Sequence, residues 1–387
     1  MDSQKGKSAI FIVLFLMSLN LHIQFPIFTP YAVALGASSF FISLMMSGSS
    51  FANLGGNVIA GPFIDRIGKK PFIVVPLFLS AFLMAAHAAV DDPLQLMFLR
   101  IANGFALAFL SPACFALLSA YAKTSRQQGK NMAVNGIMIT FANIAAPFIG
   151  GHLVHYLNYR GTYVLIGILM AVSAVIALYF IKEMEPIVPH RKEKASLAAM
   201  IADRKLYPVY FIGFALMFGQ GTLFYELPFL SVEQGLSTTE TGKLFSLMGI
   251  GTFASFSLFW LNRFSPLLRT AAGMLFSALL YFQLASGFAD ASLGTVLFLL
   301  GAAFGLLFPA LTTLLTEKVG KERHGSAFGL LSAVLSAGII FSSLTAGSVR
   351  DFVSPYYAAF LVSIAAVVYI VYDYLGDRES ATPATKL

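Results

Sequence analysis

Two charged side chains set well inside long apolar stretches of this 387-residue sequence, Glu226 and Arg100, have the chemistry to handle a proton. Glu226 is the one carboxylate placed deep in such a stretch. Near an arginine a wet carboxylate stays ionised, and it takes up a proton when its surroundings close and dry. A permanent Glu226–Arg100 ion pair, or a Glu226 at an outer rim, fits the same positions. Asn20 and Gln24, four residues apart, share a helix face, as do Arg100 and Asn103, and these make a polar set for a bound molecule. Gln220 shares a face with Phe224 and stands about 120° round the helix from Glu226. Phe304 and Phe308, also four apart, offer an aromatic surface, although most of the 38 Phe must face lipid or pack. So few charges suit an amphipathic, weakly cationic compound better than a sugar or a polyanion. His22 lies about 200° from both Asn20 and Gln24, which makes it a packing residue, and His87, His152 and His155 fall near the ends of apolar stretches, at the interface.

The elements that must position these residues are membrane helices. Of all residues 58% are hydrophobic and 11% charged, and the mean hydropathy is +0.79. No water-soluble fold of this length hides so much apolar surface. Spans of roughly 20 apolar residues recur at 9–30, 40–60, 71–90, 94–120, 131–155, 162–181, 208–231, 241–260, 271–289, 293–315, 325–347 and 355–375. The fourth and fifth are long enough to predict tilt or extension beyond the membrane. Counting along the helices puts Gln24, Arg100 and Glu226 roughly 7 to 10 Å below the outer surface, in one layer. An Arg inside a span costs at least about 2.5 kcal/mol and therefore faces a polar cavity or braces its neighbours.

Twenty-one of the 25 Lys and Arg fall in segments on one side of the spans and three on the other, with Arg100 inside. The positive-inside rule then puts both termini in the cytoplasm. The net charge of +7 expresses this bias and contact with anionic lipid headgroups, so no nucleic-acid partner is expected. The first apolar segment has no small-residue cleavage site and reads as a retained helix. The single cysteine, Cys114, lies in a span as a small packing residue, and no metal cluster is expected. Residues 182–207, with Pro186, Pro189 and a short interfacial helix over 195–202, read as a cytoplasmic linker. The linker separates six spans in 1–181 from six in 208–387. Gly104 precedes Pro112 by eight residues and Gly301 precedes Pro309 by eight; Gly129 precedes Gly151 by 22 and Gly325 precedes Gly347 by 22. Two spacings shared at offsets of 197 and 196 point to a parallel six-plus-six repeat, in which substrate binds between the halves near the midplane.

Between spans two and three stands Gly61-Pro-Phe-Ile-Asp65-Arg66-Ile-Gly68-Lys69-Lys70. Gly61 permits close helix approach, Asp65 and Arg66 put opposite charges at a helix end, and Gly68 turns the chain before two lysines. This run resembles the signature loop of the major facilitator superfamily. Leu99-Arg100-Ile-Ala-Asn103-Gly104 is similar to the embedded-arginine motif of its proton-coupled members. Asn143-Ile-Ala-Ala146-Pro147-Phe-Ile-Gly150-Gly151 resembles the antiporter motif of its twelve-helix drug/proton branch, with Ala133, Ala142 and Ala146 where that branch favours Gly. The end of span one, Pro26-x-x-x-Pro30 followed by Leu35-Gly36-Ala37-Ser38, is similar to the same branch. In the second half Asn262-Arg263 replaces Asp65-Arg66, and the glycines and lysines are lost.

The resemblance implies an all-α membrane fold of twelve transmembrane helices in two six-helix bundles related by pseudo-two-fold symmetry. Spans one, four, seven and ten would line a cavity across which Arg100 and Glu226 face each other. Asp65 would act with the start of span eleven as an inner gate. The expected activity is secondary transport in the cell membrane: proton-coupled efflux of a small amphipathic drug or metabolite by a monomer, or else uptake or facilitated transport of a small metabolite. A non-transporting receptor or scaffold would need neither the loop nor Arg100. No phosphate loop is present, so no nucleotide or other cofactor is expected, and no His, Cys or paired-carboxylate set suggests an enzyme.

Overall fold

Lipid offers backbone amides no partner, so a spanning chain bonds its own as helix, and every regular segment among the described residues is helical. The computed structural model describes residues 2–122, 124–183, 197–287, 292–319 and 323–381. In chain order the helices are α1 (Asp2–Ile23), α2 (Phe28–Ala34), α3 (Ser39–Ile67), α4 (Pro71–Ala86), α5 (Pro93–Ala108), α6 (Leu110–Ala120) and α7 (Ser125–Phe180). After these come α8 (Leu197–Ala202), α9 (Tyr207–Glu233), α10 (Thr238–Phe256), α11 (Pro266–Ser286), α12 (Leu293–Lys318), α13 (His324–Val349) and α14 (Tyr356–Ala381).

Nine stretches among the described residues are long and apolar enough to cross a membrane. One, Arg126–Phe180, is broken at Asn158, whose φ of 53° no ordinary helix allows. Asn158 tolerates that conformation and caps the following helix, its Oδ1 accepting from the Gly161 N–H at 3.0 Å. The stretch therefore holds spans five and six. The more polar α3 and α10 coincide with spans two and eight, so each of the twelve expected spans contains helix among the described residues.

Boundaries differ from the sequence reading where proline or capping intervenes. Span one unwinds at residues 24–27, next to Pro26, and resumes as α2. The long fourth span is two helices meeting at Phe109, because Pro112 has no N–H for the Ala108 carbonyl. The fifth starts early, at a Thr124 cap whose hydroxyl accepts from the Gln127 N–H. Gly61 to Ile67 continue α3, leaving only Gly68 to Lys70 as the turn. Of the expected linker, residues 184–196 lie outside the described residues, while α8 falls within the expected interfacial helix. A capping box opens α10: the Ser237 hydroxyl accepts from the Glu240 N–H at 3.2 Å, and the Glu240 carboxylate accepts from the Ser237 N–H and hydroxyl at 2.8 Å. Those bonds, the backbone one foremost, hold the Glu240 carboxyl below its ordinary value.

The chain divides into two units, one of Met1–His190 with Phe224–Gly249 and one of Arg191–Leu223 with Ile250–Leu387. In the first, α1 and α4 pack along α7, α3 packs on α5, and Ile10, Leu14, Leu77, Cys114, Leu117 and Met170 form a buried core. In the second, α11 packs on α12 and α14 around Leu206, Met274, Leu307, Leu311 and Leu315. The glycines of the sequence repeat have matching partners. Asn53 Nδ2 donates to the Gly104 carbonyl in the first unit, and Thr252 Oγ1 to the Gly301 carbonyl in the second, each at 3.0 Å.

Candidate functional site

The polar layer begins where α1 ends. Asn20 and Gln24 are almost fully buried, and Gln24 Nε2 donates to the Asn20 carbonyl at 3.0 Å and to Asn20 Oδ1 at 2.8 Å. That fixes the amide so that Gln24 Oε1 accepts from Arg100 of α5. The Arg100 guanidinium lies 4.3 Å from the centroid of the Phe28 ring in α2. A neutral amide and an aromatic face thus hold this half-buried cation without cancelling its charge. The shared depth expected of Gln24 and Arg100 is realised as direct contact.

Glu226, 6% exposed, sits on the part of α9 that belongs to the same unit. Its neighbours anchor that segment: Tyr225 Oη donates to the Ser39 carbonyl at 2.7 Å, and Phe224 stacks on Phe25 at 4.5 Å, with Phe245 against both. Phe25 and Phe245 escaped the sequence reading because they stand 220 positions apart and neither lies on a marked face. Asn103 turns elsewhere, its Oδ1 accepting from Ser80 Oγ of α4 at 2.8 Å. Gln220 is buried in the other unit, where Phe304 and Phe308 stack at 5.7 Å against its apolar core. His22 packs as expected, with Nδ1 donating to the Ser18 carbonyl and the ring edge-on to Phe25. His87, expected at the interface, is fully buried.

The charged loop has an anchor that its own residues do not reveal. Gly68 ends α3 with φ of 105°, and α4 starts at Pro71 with no side-chain cap from Lys70. The missing cap comes from Glu183, beyond the end of α7. Its carboxylate accepts from the Lys69 and Lys70 N–H groups at 3.0 and 2.7 Å and lies 3.9 Å from Lys69 Nζ. More than 110 residues separate these groups, so no local signal could find the contact. Glu183→Ala should cost about 0.5–1 kcal/mol, the scale of a lost cap at a partly exposed site. Faster amide exchange at Lys69 and Lys70 would report it, and unchanged exchange would dismiss the anchor. Arg66 is exposed, and the Asp65 side chain lies outside the described ones. A Cβ on Gly61 would find no described atom within 4 Å.

Span five carries the third constellation. Pro147 deprives the Asn143 carbonyl of its helical partner, and that oxygen lies 3.0 Å from where a Cβ on Gly249 of α10 would stand. A Cβ on Gly242 would collide with the Pro147 carbonyl, one on Gly151 with Thr238, and one on Gly150 with the Ile23 carbonyl of α1. The Gly151 carbonyl accepts from Thr238 and Thr239 hydroxyls, both at 3.2 Å. Pro147, Gly150 and Gly151 therefore let backbones touch on two sides of α7. Ala142 and Ala146 are fully buried on the same helix. Gly151→Val should force α7 and α10 apart, at roughly 1–3 kcal/mol for overpacking. A Tm unchanged from wild type would contradict this contact.

The family model of the Major Facilitator Superfamily matches residues 10–343. The quinolone resistance protein NorA of Staphylococcus aureus is 24% identical over 369 residues, covering 93% of this chain and 94% of NorA. The multi-drug resistance efflux pump PmrA of Streptococcus pneumoniae is 23% identical over 372 residues, covering 92% and 91%. Among solved structures, the nucleoside transporter NupG, crystallised as a point mutant, matches with a TM-score of 0.78 at 15% identity, over 96% of this chain and 99% of its own. A bacterial homolog of the human lysosomal transporter Spinster, in an inward-facing and occupied conformation, matches at 0.74 and 14%, over 96% of each chain. With a family match over most of its length and the same helical fold, the chain belongs to the Major Facilitator Superfamily and is a membrane-embedded transporter of small molecules, not an enzyme.

Proposed function

We propose that the protein is a proton-coupled exporter of small amphipathic compounds in the cell membrane, a monomer with both termini in the cytoplasm. The observation that carries this reading is the Asn20–Gln24–Arg100 layer, which holds a half-buried cation with its charge uncancelled in the same unit as the buried carboxylate of Glu226. A fixed positive charge favours the ionised carboxylate and drying favours the protonated one, so a change of access would load and unload a proton. The resistance and efflux roles in the names of NorA and PmrA support outward transport. Few charges beside Phe25, Phe224 and Phe245 support an apolar or weakly cationic guest. The two six-span halves, 1–181 and 208–387 joined by 182–207, are the proposed moving bodies, with Asp65 of the first as part of the inner gate.

Purified protein in proteoliposomes tests coupling and direction together. With a fluorescent amphipathic cation outside and an acidic lumen, protein inserted with its cytoplasmic face outward should concentrate the dye inside, and a protonophore should abolish the accumulation. Flux that ignores the pH gradient would replace this reading with facilitated transport.

A further inference from the structure

Behind Arg100, inside the first unit, three buried polar atoms lack a hydrogen-bond partner among the described residues: Arg100 Nε, His87 Nε2 and Tyr163 Oη. His87 lies in the turn after α4 and Tyr163 in the second helix of α7, and both residues are fully buried. Their rings stack at 4.9 Å with planes 21° apart, and Arg100 lies within electrostatic range of both.

The tautomer of His87 follows from its one bond. Nδ1 is 2.7 Å from the Leu83 carbonyl, which can only accept, so Nδ1 carries the hydrogen and Nε2 presents a lone pair. The three atoms are therefore one acceptor, one N–H donor and one hydroxyl that is both. We propose that they form a water-binding site between α4, α5 and α7, and that His87 and Tyr163 are positioning residues for Arg100. Water matches the chemistry of all three, accepting from the Arg100 N–H, donating to His87 Nε2 and exchanging a bond with the Tyr163 hydroxyl. A cation would be repelled by Arg100, and an anion would meet the Nε2 lone pair. The outer side is closed: Tyr31 Oη donates to the His87 carbonyl at 2.7 Å, its ring packs on Tyr159 and Tyr163, and the exposed Arg160–Asp91 pair at 2.7 Å lies above. With Gln24 on one side and this water on Nε, the guanidinium is held at both edges, and the polar layer keeps its geometry.

Radiolytic hydroxyl-radical footprinting of the intact protein in nanodiscs tests the site without any assumption about transport. An internal water generates radical in place, so Tyr163 should be labelled several-fold more than Tyr225, which is equally buried but bonded to Ser39. Equal labelling of the two would overturn the site. The positioning role rests on the proposed transport, and it is read by substitution. His87→Gln retains an acceptor near the Nε2 position and should transport almost as wild type. His87→Leu and Tyr163→Phe should each lower kcat about tenfold, the scale of one charge-assisted hydrogen bond, with little change in KM. If His87→Gln is as impaired as His87→Leu, His87 only packs. If wild type itself shows no transport, the transport reading fails while the footprint still decides the water site.

Discussion

Glu226→Gln should eliminate transport driven by a pH gradient while leaving substrate binding and downhill exchange in place. Glutamine keeps the size and polarity of the buried carboxylate, 6% exposed here, but cannot gain or lose a proton. If Glu226 carries the coupled proton, accumulation against the gradient falls to the level of empty vesicles. Arg100→Ala should damage both binding and coupling. It removes the charge that favours ionised Glu226 and strands the Gln24 Oε1 atom that Arg100 now occupies. The measurement is flux with and without an imposed gradient for wild type and both variants. Undiminished gradient-driven flux in Glu226→Gln would sink the carrier role.

Asp65→Asn should lose most transport with no loss of stability. Asp65 lies in the last turn of α3, three residues before Gly68, where helix carbonyls concentrate negative potential. A carboxylate there is unfavourable by about 0.3–1 kcal/mol, so the variant should be as stable as wild type or slightly more so. In the proposed gate that cost is offset by a partner met during the cycle, which the family resemblance assigns to the amides at the start of span eleven. Expression, Tm and flux measured together separate the cases. Full transport by Asp65→Asn would reduce the loop to a topology signal, and a large drop in Tm would reassign Asp65 to folding.

Much of this was legible in the chain order of residue types. Twelve spans could be read because lipid forces each crossing to be a long apolar helix, and that signal is local. The pairing of Asn20 with Gln24 followed from helical spacing, and the common depth of Gln24 and Arg100 from 1.5 Å of rise per residue. The breaks near Pro26 and Pro112 are local too, set by prolines that lack an N–H, and they divide spans that hydropathy alone reads as single helices. The glycine spacings that suggested a repeat reappear as matched bonds to Gly104 and Gly301.

What tertiary structure alone decided is which side chains meet. Depth cannot tell rotation about the helix axis, so it could not show that Asn103 turns to Ser80, nor that Gln24 rather than another group receives Arg100. His87 looked interfacial because it ends an apolar run, yet packing folds it inward against Tyr163. Glu183 reaches Lys69 and Lys70 only because α4 and the end of α7 are brought together. A sequence determines solvent, helix and depth through short-range physics, whereas hydrogen bonds and ring contacts between helices depend on azimuth and on residues more than a hundred positions apart.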